Sequence, residues 1–177
     1  MRAAIVYESL YGNTHAIADA IAQGLEGAAE ARVMSVEEAG QTPPTATDLL
    51  VVGGPTHIHG MSRKPMWELA VKDALEHPEK GLVPDSAAAG PGLRAWFDSL
   101  DKATGKAAAF DTRLEGNKLL TGQASKGIAK RLKQHGLELI AEPASFLVDD
   151  TNQLLPGELD RAREWGNTLG AALFAAP

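Results

Sequence analysis

The run Ser9-Leu10-Tyr11-Gly12-Asn13-Thr14 gathers three hydroxyls and a carboxamide around one glycine. Hydroxyl and amide hydrogens suit an anion, and Gly12 lets the backbone fold tightly enough to present them together. A helix that begins at this run adds unsatisfied N–H groups and a partial positive charge at its first turn. The chemistry this favours is the holding of a phosphate monoester. The run contains no Lys or Arg, so a dianion there is neutralised by oriented donors and dipoles alone, as in a backbone nest. An ordinary helix N-cap is the other reading, because Asn13 or Thr14 is able to start any helix.

Spacing excludes several competitors. A Walker loop ends in Gly-Lys-[Ser/Thr] and a dinucleotide fingerprint has three spaced glycines, and neither follows the first apolar run. A phospho-receiver would place an acceptor Asp where Gly53-Gly54-Pro55 stands. The Gly-x-Ser-x-Gly elbow of a serine hydrolase is missing. The chain has no cysteine, which removes disulfides, thiolate catalysis and thiolate metal sites by inventory. A redox role therefore needs a bound organic cofactor. His57 and His59 stand at i and i+2 with no carboxylate close in sequence, a weak metal pair that reads better as loop polarity or a core hydrogen bond, so no metal is expected. His15, in the first turn of a helix, reads as a surface residue.

The elements that must position these residues follow from the apolar pattern of 177 residues, a length that favours one domain over residues 1–177. Residues 3–7 read as a strand, and Ile17, Ala18, Ile21, Ala22 and Leu25 as the buried face of a helix closing near Gly27. A short strand is expected over 31–36. Residues 48–55 are a continuous apolar run bounded by turn residues, the mark of a central strand covered on both faces. Helices are expected over 66–76, 93–100, 125–134 (closed by Gly136) and 157–174, the last presenting Leu159, Ala162, Trp165, Leu169 and Leu173 on one side. Further strands are expected over 106–112 and over 137–148, the latter bent at Pro143. Trp67 and Trp96 sit at helical spacing with other apolar residues and read as core. Residues 77–92, rich in Pro and Gly, form an excursion that shapes either a pocket or a subunit contact in a homodimer. Strands alternating with helices give an α/β fold with a parallel sheet between helical layers, and ligands in such folds sit at the strand C-termini.

Seventeen basic residues against 23 acidic give a net charge of −6, which disfavours a nucleic-acid or membrane-surface partner. Residues 1–7 are too short an apolar run for a signal-peptide core, and no stretch approaches the roughly 18 apolar residues of a membrane span. The cytoplasm is the default compartment.

Ser9, Tyr11, Gly12, Asn13 and Thr14 match in order the phosphate loop of the flavodoxin family, [Ser/Thr]-x-[Thr/Tyr]-Gly-Asn-Thr, and the chain resembles that family also in Gly53-Gly54-Pro55-Thr56 and in its order of elements. The resemblance implies a doubly wound, three-layer sandwich with a five-stranded parallel sheet in the order 2-1-3-4-5. It implies flavin mononucleotide (FMN) as cofactor, with Ser9 to Thr14, Leu10 included, around the phosphate. Pro55, Thr56, His57, Ile58, His59 and Gly60 would flank the ring, Thr56 and main-chain groups meeting its polar edge. Asp111, Thr112 and Arg113 would close over the other side. Arg113 either lends charge to a reduced flavin or pairs with Asp111 or Glu115 on a solvated face.

The sequence departs from electron-carrier flavodoxins in having no ring-stacking Trp or Tyr in the second and third loops. An open ring face suits an FMN-dependent oxidoreductase, taking electrons from a nicotinamide or protein donor and passing them to a small acceptor. A flavodoxin-fold module that lacks flavin and works by partner binding is the alternative. No catalytic side chain stands out, because the flavin would carry the chemistry.

Overall fold

The computed structural model describes residues 1–44, 47–57, 60–62, 64–78, 82–85, 92–117 and 121–175. Ile58, His59 and most of the 77–92 excursion lie outside the described residues. Strand β1 (Arg2–Tyr7) leads into helix α1 (Asn13–Leu25), then β2 (Glu30–Ser35), α2 (Val36–Gln41) and β3 (Leu49–His57). A two-residue strand β4 (Gly60–Met61) folds back antiparallel on β3, ahead of α3 (Lys64–Glu76) and α4 (Leu93–Ser99). Next come β5 (Lys106–Leu114), α5 (Ala124–Gln134), β6 (Glu138–Leu139), β7 (Ala144–Val148) and α6 (Glu158–Phe174).

The sheet runs β2-β1-β3-β5, with β6 and β7 both parallel to β5 along its free side. This is the expected order, with the fifth position filled by two short strands instead of one bent strand. Ile140 N–H still reaches the Ala107 carbonyl at 3.0 Å, but Pro143 has no N–H to give, and pairing resumes only at Ala144 opposite Phe110. The outward groups of β7 are taken by the chain itself. Leu147 N–H donates to Glu158 at 2.8 Å, its carbonyl accepts from Leu155 N–H at 3.0 Å, and Arg161 donates to the Ser145 carbonyl.

Strand alternation divides the core into two layers. Val6, Val52 and Ala109 face Trp96, Phe97, Ile128 and Leu132, while Ile5, Val51, Ala108 and Phe110 face Ile17, Ile21 and Leu169. Trp96 is core, as its spacing predicts, whereas Leu159 is 41% exposed and lies off the buried face of α6. Helix α2 was hidden by its brevity, though its start carries a capping box: Ser35 Oγ accepts from Glu38 N–H, and Ser35 N–H donates to Glu38.

Helices α1 and α6 touch backbone to backbone. A Cβ on Gly24 would stand 2.0 Å from the Arg163 carbonyl oxygen, and one on Gly166 would stand 2.4 Å from that of Ile21. Neither backbone is able to retreat without lifting a helix from the sheet. Lys106, at the start of β5, ties the far end of α6 by donating to the Ala172 and Leu173 carbonyls at 3.3 and 3.0 Å. Gly166→Ala is therefore expected to lower unfolding stability by about 1–3 kcal/mol or more, read as a fall in the urea midpoint; an unchanged midpoint would contradict this packing.

Candidate functional site

The parallel strands bring three loops to one edge of the sheet. The first leaves β1 after Glu8, whose N–H donates to the Gly53 carbonyl at 3.0 Å and so continues the β1–β3 ladder for one more step. Gly12 then adopts φ 85°, the left-handed conformation that glycine takes without strain. Ser9 Oγ accepts the Gly12 N–H at 3.0 Å, which closes the turn.

Gly12 is the N-cap of α1, and no side chain caps this helix. The reading of Asn13 or Thr14 as an ordinary cap is therefore overturned. Asn13 Nδ2 donates to the Asn152 carbonyl at 2.8 Å, and the hydroxyls of Thr14 and Thr112 share one hydrogen bond of 2.8 Å. Among the described residues, the N–H groups of Asn13, Thr14 and His15 have no protein acceptor, and the first turn of α1 has no acidic residue. Helix α2 is the contrast, with its capping box and with Glu37 and Glu38 in its first turn.

A pocket of about 210 Å³ opens at this point, lined by Ser9, Leu10, Tyr11, Asn13, Thr14, Pro55, Thr56, His57 and Thr112 among the expected residues. Gly12 shapes the turn behind it. Whichever threonine donates in the Thr14–Thr112 pair, one hydroxyl hydrogen of the two is left over for a ligand. Burial and Asp73 push the Tyr11 phenol up, so it keeps its proton at neutral pH. His15 stacks on Tyr7 with ring centroids 4.4 Å apart and faces Asp85 at 3.5 Å.

Three expected residues stand elsewhere. Gly60 pairs with His57 in the β3–β4 hairpin, and Ile58 lies outside the described residues. Strand β5 runs two residues further than expected, so Arg113 is a strand residue, and alternation sends Asp111 and Arg113 to the face opposite Thr112. Asp111, fully buried, accepts from Ser125 N–H at 2.7 Å and from Thr56 Oγ1 at 3.1 Å, while Thr56 Oγ1 accepts from Ala124 N–H at 2.8 Å. The Thr56 hydroxyl hydrogen is thus spent on Asp111 of β5 while its oxygen accepts from α5, which leaves the main-chain groups at this position for a ring edge. Arg113 is buried and donates to the Leu114 and Gly116 carbonyls and to Thr121. Among the described residues it pairs with neither Asp111 nor Glu115, because its guanidinium folds back onto its own loop.

Sequence reasoning missed the far wall of the pocket, made of Leu114, Val148, Asp149, Asp150 and Asn152. The Asp149-Asp150-Thr151-Asn152 cluster after a strand is a turn signal that would have placed it. Asp149 Oδ1 accepts from Thr151 N–H, the Thr151 hydroxyl and Gln153 N–H at 2.8–2.9 Å, and these bonds hold its carboxyl below the usual carboxylate range. Among the described residues no Lys or Arg lines the pocket.

The sequence model of the flavodoxin family matches residues 5–166, so the chain belongs to the flavodoxin family of redox proteins. Solved structures agree in fold. A flavodoxin from the domain Archaea superposes with a TM-score of 0.65 at 19% identity, covering 99% of this chain and 100% of that one. A WrbA-like flavodoxin from Agrobacterium tumefaciens gives 0.55 at 20% identity, covering 97% and 96%. The rubredoxin oxygen:oxidoreductase of Desulfovibrio gigas gives 0.60 at 18% identity, covering 97% of this chain and 36% of that one. No curated protein is a significant sequence match. Among the described residues, no helix is long and apolar enough to cross a membrane.

Burial lowers the pKa of His57, whose Nε2 is buried with no partner among the described residues. The unfolded chain, with its histidines near 6.5, takes up this proton first as pH falls. Stability is complete above that value and declines below it, towards the lower folded value. Melting temperature measured from pH 7.5 to 5 is expected to fall more steeply in the wild type than in His57→Gln; parallel curves would contradict the assignment.

Proposed function

We propose that this flavodoxin-family chain holds FMN at the strand C-termini, its phosphate on the Ser9–Thr14 loop, and works as a reductase that leaves one ring face open. The uncapped first turn of α1 carries this reading. Three N–H donors end on a left-handed glycine with no protein acceptor among the described residues, in a chain that caps α2 fully. A donor that loses water without gaining a partner costs about 1–3 kcal/mol, and an anionic ligand in this pocket supplies that partner.

The chemistry of the donor set fits a phosphate. Asn13, Thr14 and His15 supply N–H groups, Ser9 and the Thr14–Thr112 pair supply hydroxyls, and the dipole of a 13-residue helix supplies partial positive charge. A pocket of about 210 Å³ is smaller than the roughly 300–1,000 Å³ that encloses a drug-sized ligand, so it takes the phosphate end while the ring lies along the loop mouths. Pro55, His57 and the main chain of Thr56 would flank the ring on the β3 side, with Gly60 and Ile58 completing that loop. When bound, the flavin supplies the redox chemistry; the protein orients it and tunes its potential. Residues 111–123 contain no aromatic side chain, which supports an open face that a small acceptor or a nicotinamide reaches. Arg113, whose guanidinium folds back onto the Leu114–Thr121 loop, would support that loop beside the ring and not contact the flavin. A cytosolic unit of residues 1–177, alone or as a homodimer, completes the proposal, with a nicotinamide or protein as donor. No observation favours a flavin-free, partner-binding module.

Purified chain is expected to be yellow, or to take up added FMN with a rise in melting temperature. Thr14→Ala should weaken FMN by tenfold or more, the worth of a charge-assisted bond of ~1.5–3 kcal/mol. Riboflavin, which has no phosphate, should bind wild type and variant alike. A colourless protein that FMN does not stabilise, or equal losses for both flavins, would refute the phosphate site.

A further inference from the structure

Helix α5 carries Lys126, Lys130, Arg131 and Lys133 and no acidic residue, while the rest of the chain has 13 basic residues against 23 acidic. One helix thus stands at +4 in a chain of net charge −6. Arg131 is held by Asp98 at 2.8 Å, whereas Lys126, Lys130 and Lys133 are exposed and make no ion pair or hydrogen bond among the described residues. Spacings of four and three residues set these lysines on one face of the helix, away from the buried Ile128 and Leu132. They form one side of an open groove of about 840 Å³, whose other side is Leu139, Ile140 and Pro143 at the break between β6 and β7. Glu142 is the one acidic residue lining it among the described residues.

We propose that this lysine ridge and its groove are the docking surface for an acidic partner protein. Charge complementarity selects the sign of the partner, because three ammonium groups without a partner of their own gain most from carboxylates brought against them. Length selects a compact partner over a nucleic acid. Seven residues of helix span about 10 Å, enough to meet an acidic patch on a small protein, whereas a nucleic-acid strand would run on to a surface that is otherwise net negative. The apolar side chains across the groove supply contact that excludes water inside the charged rim. Location adds a role. Ala124 N–H, at the start of α5, donates to Thr56 Oγ1 at 2.8 Å, and Thr56 lines the pocket at the strand C-termini, so the Lys126 end of the ridge adjoins that pocket. The partner is a redox protein on the reading of the pocket as a flavin site; the docking surface itself does not need that reading.

The test titrates the chain as purified with three probes, read by calorimetry and by amide shifts in NMR: a plant-type ferredoxin as a small acidic redox protein, cytochrome c as a basic one, and a single-stranded oligonucleotide as a flexible polyanion. Ferredoxin is expected to bind with shifts centred on residues 124–143, and to bind about tenfold more weakly when salt shortens the Debye length from ~10 to ~3 Å. The triple variant Lys126→Gln, Lys130→Gln, Lys133→Gln should lose about tenfold or more in affinity. Lys130→Glu alone should cost about threefold, and Arg32→Glu, an equal change of net charge on the opposite border of the sheet, less than about twofold. All four side chains are exposed, so the variants are expected to fold; unchanged melting temperatures check this. Ferredoxin that fails to bind, binds every variant alike or shifts amides away from the ridge overturns the docking surface. So does an oligonucleotide that binds more tightly than ferredoxin, or cytochrome c that shifts the same amides. A chain that takes up no FMN yet binds ferredoxin on the ridge keeps the surface and overturns the flavin reading instead.

Discussion

Among the described residues, no side chain answers the first donors of helix α1, and the packing around the helix holds it in that condition. Helix N-termini in proteins are ordinarily satisfied locally, and α2 shows that this sequence is able to do so. At α1 the residues that might have capped are engaged across the fold. Asn13 reaches Asn152, Thr14 reaches Thr112, and Ser9 closes the turn behind Gly12. The helix is also pressed from behind, since Gly24 and Gly166 let α6 approach to backbone contact. The anchorage at the far end of α1 keeps its open end from shifting to find another partner.

Much of this was legible in the residues. The apolar run of β3, with its turn-forming ends, announced a central strand, and the hexapeptide announced an anion site. Gly53 and Gly54 are explained only by the structure: a Cβ at Gly53 would meet the Phe110 ring at 2.1 Å, and one at Gly54 would meet Leu93 at 2.5 Å. The one-residue logic of strands also decided where the expected residues 111–113 stand. Extending β5 to Leu114 turned Asp111 and Arg113 away from the pocket, because alternate residues face opposite sides. The break of the fifth strand at Pro143 was half visible, as a bend. The Asp149–Gln153 turn was missed as part of the pocket because the bond that places it there comes from Asn13, 139 positions from Asn152.

Two layers of polar bonding meet at Thr56. Its backbone borders the pocket, while its hydroxyl joins Asp111 to the start of α5. A buried carboxylate thus does for α5 what no side chain does for α1. The position of the β3 loop is thereby tied to a helix packed on the opposite face of the sheet from α1, so the two sides of the pocket are supported by different helical layers.

The saturated border at β7 has a consequence for the fate of the chain in a crowded solution. An open sheet ends in rows of N–H and C=O groups that a foreign strand is able to copy, the first step of fibre growth. Here one border is short and broken, and its outward groups at Ser145 and Leu147 are claimed by Arg161, Glu158 and Leu155. The opposite border, β2, carries Glu30 and Arg32, charges that discourage a neighbour from pairing. Glu158 and Arg161 therefore guard against amyloid-like stacking as well as anchoring the last helix.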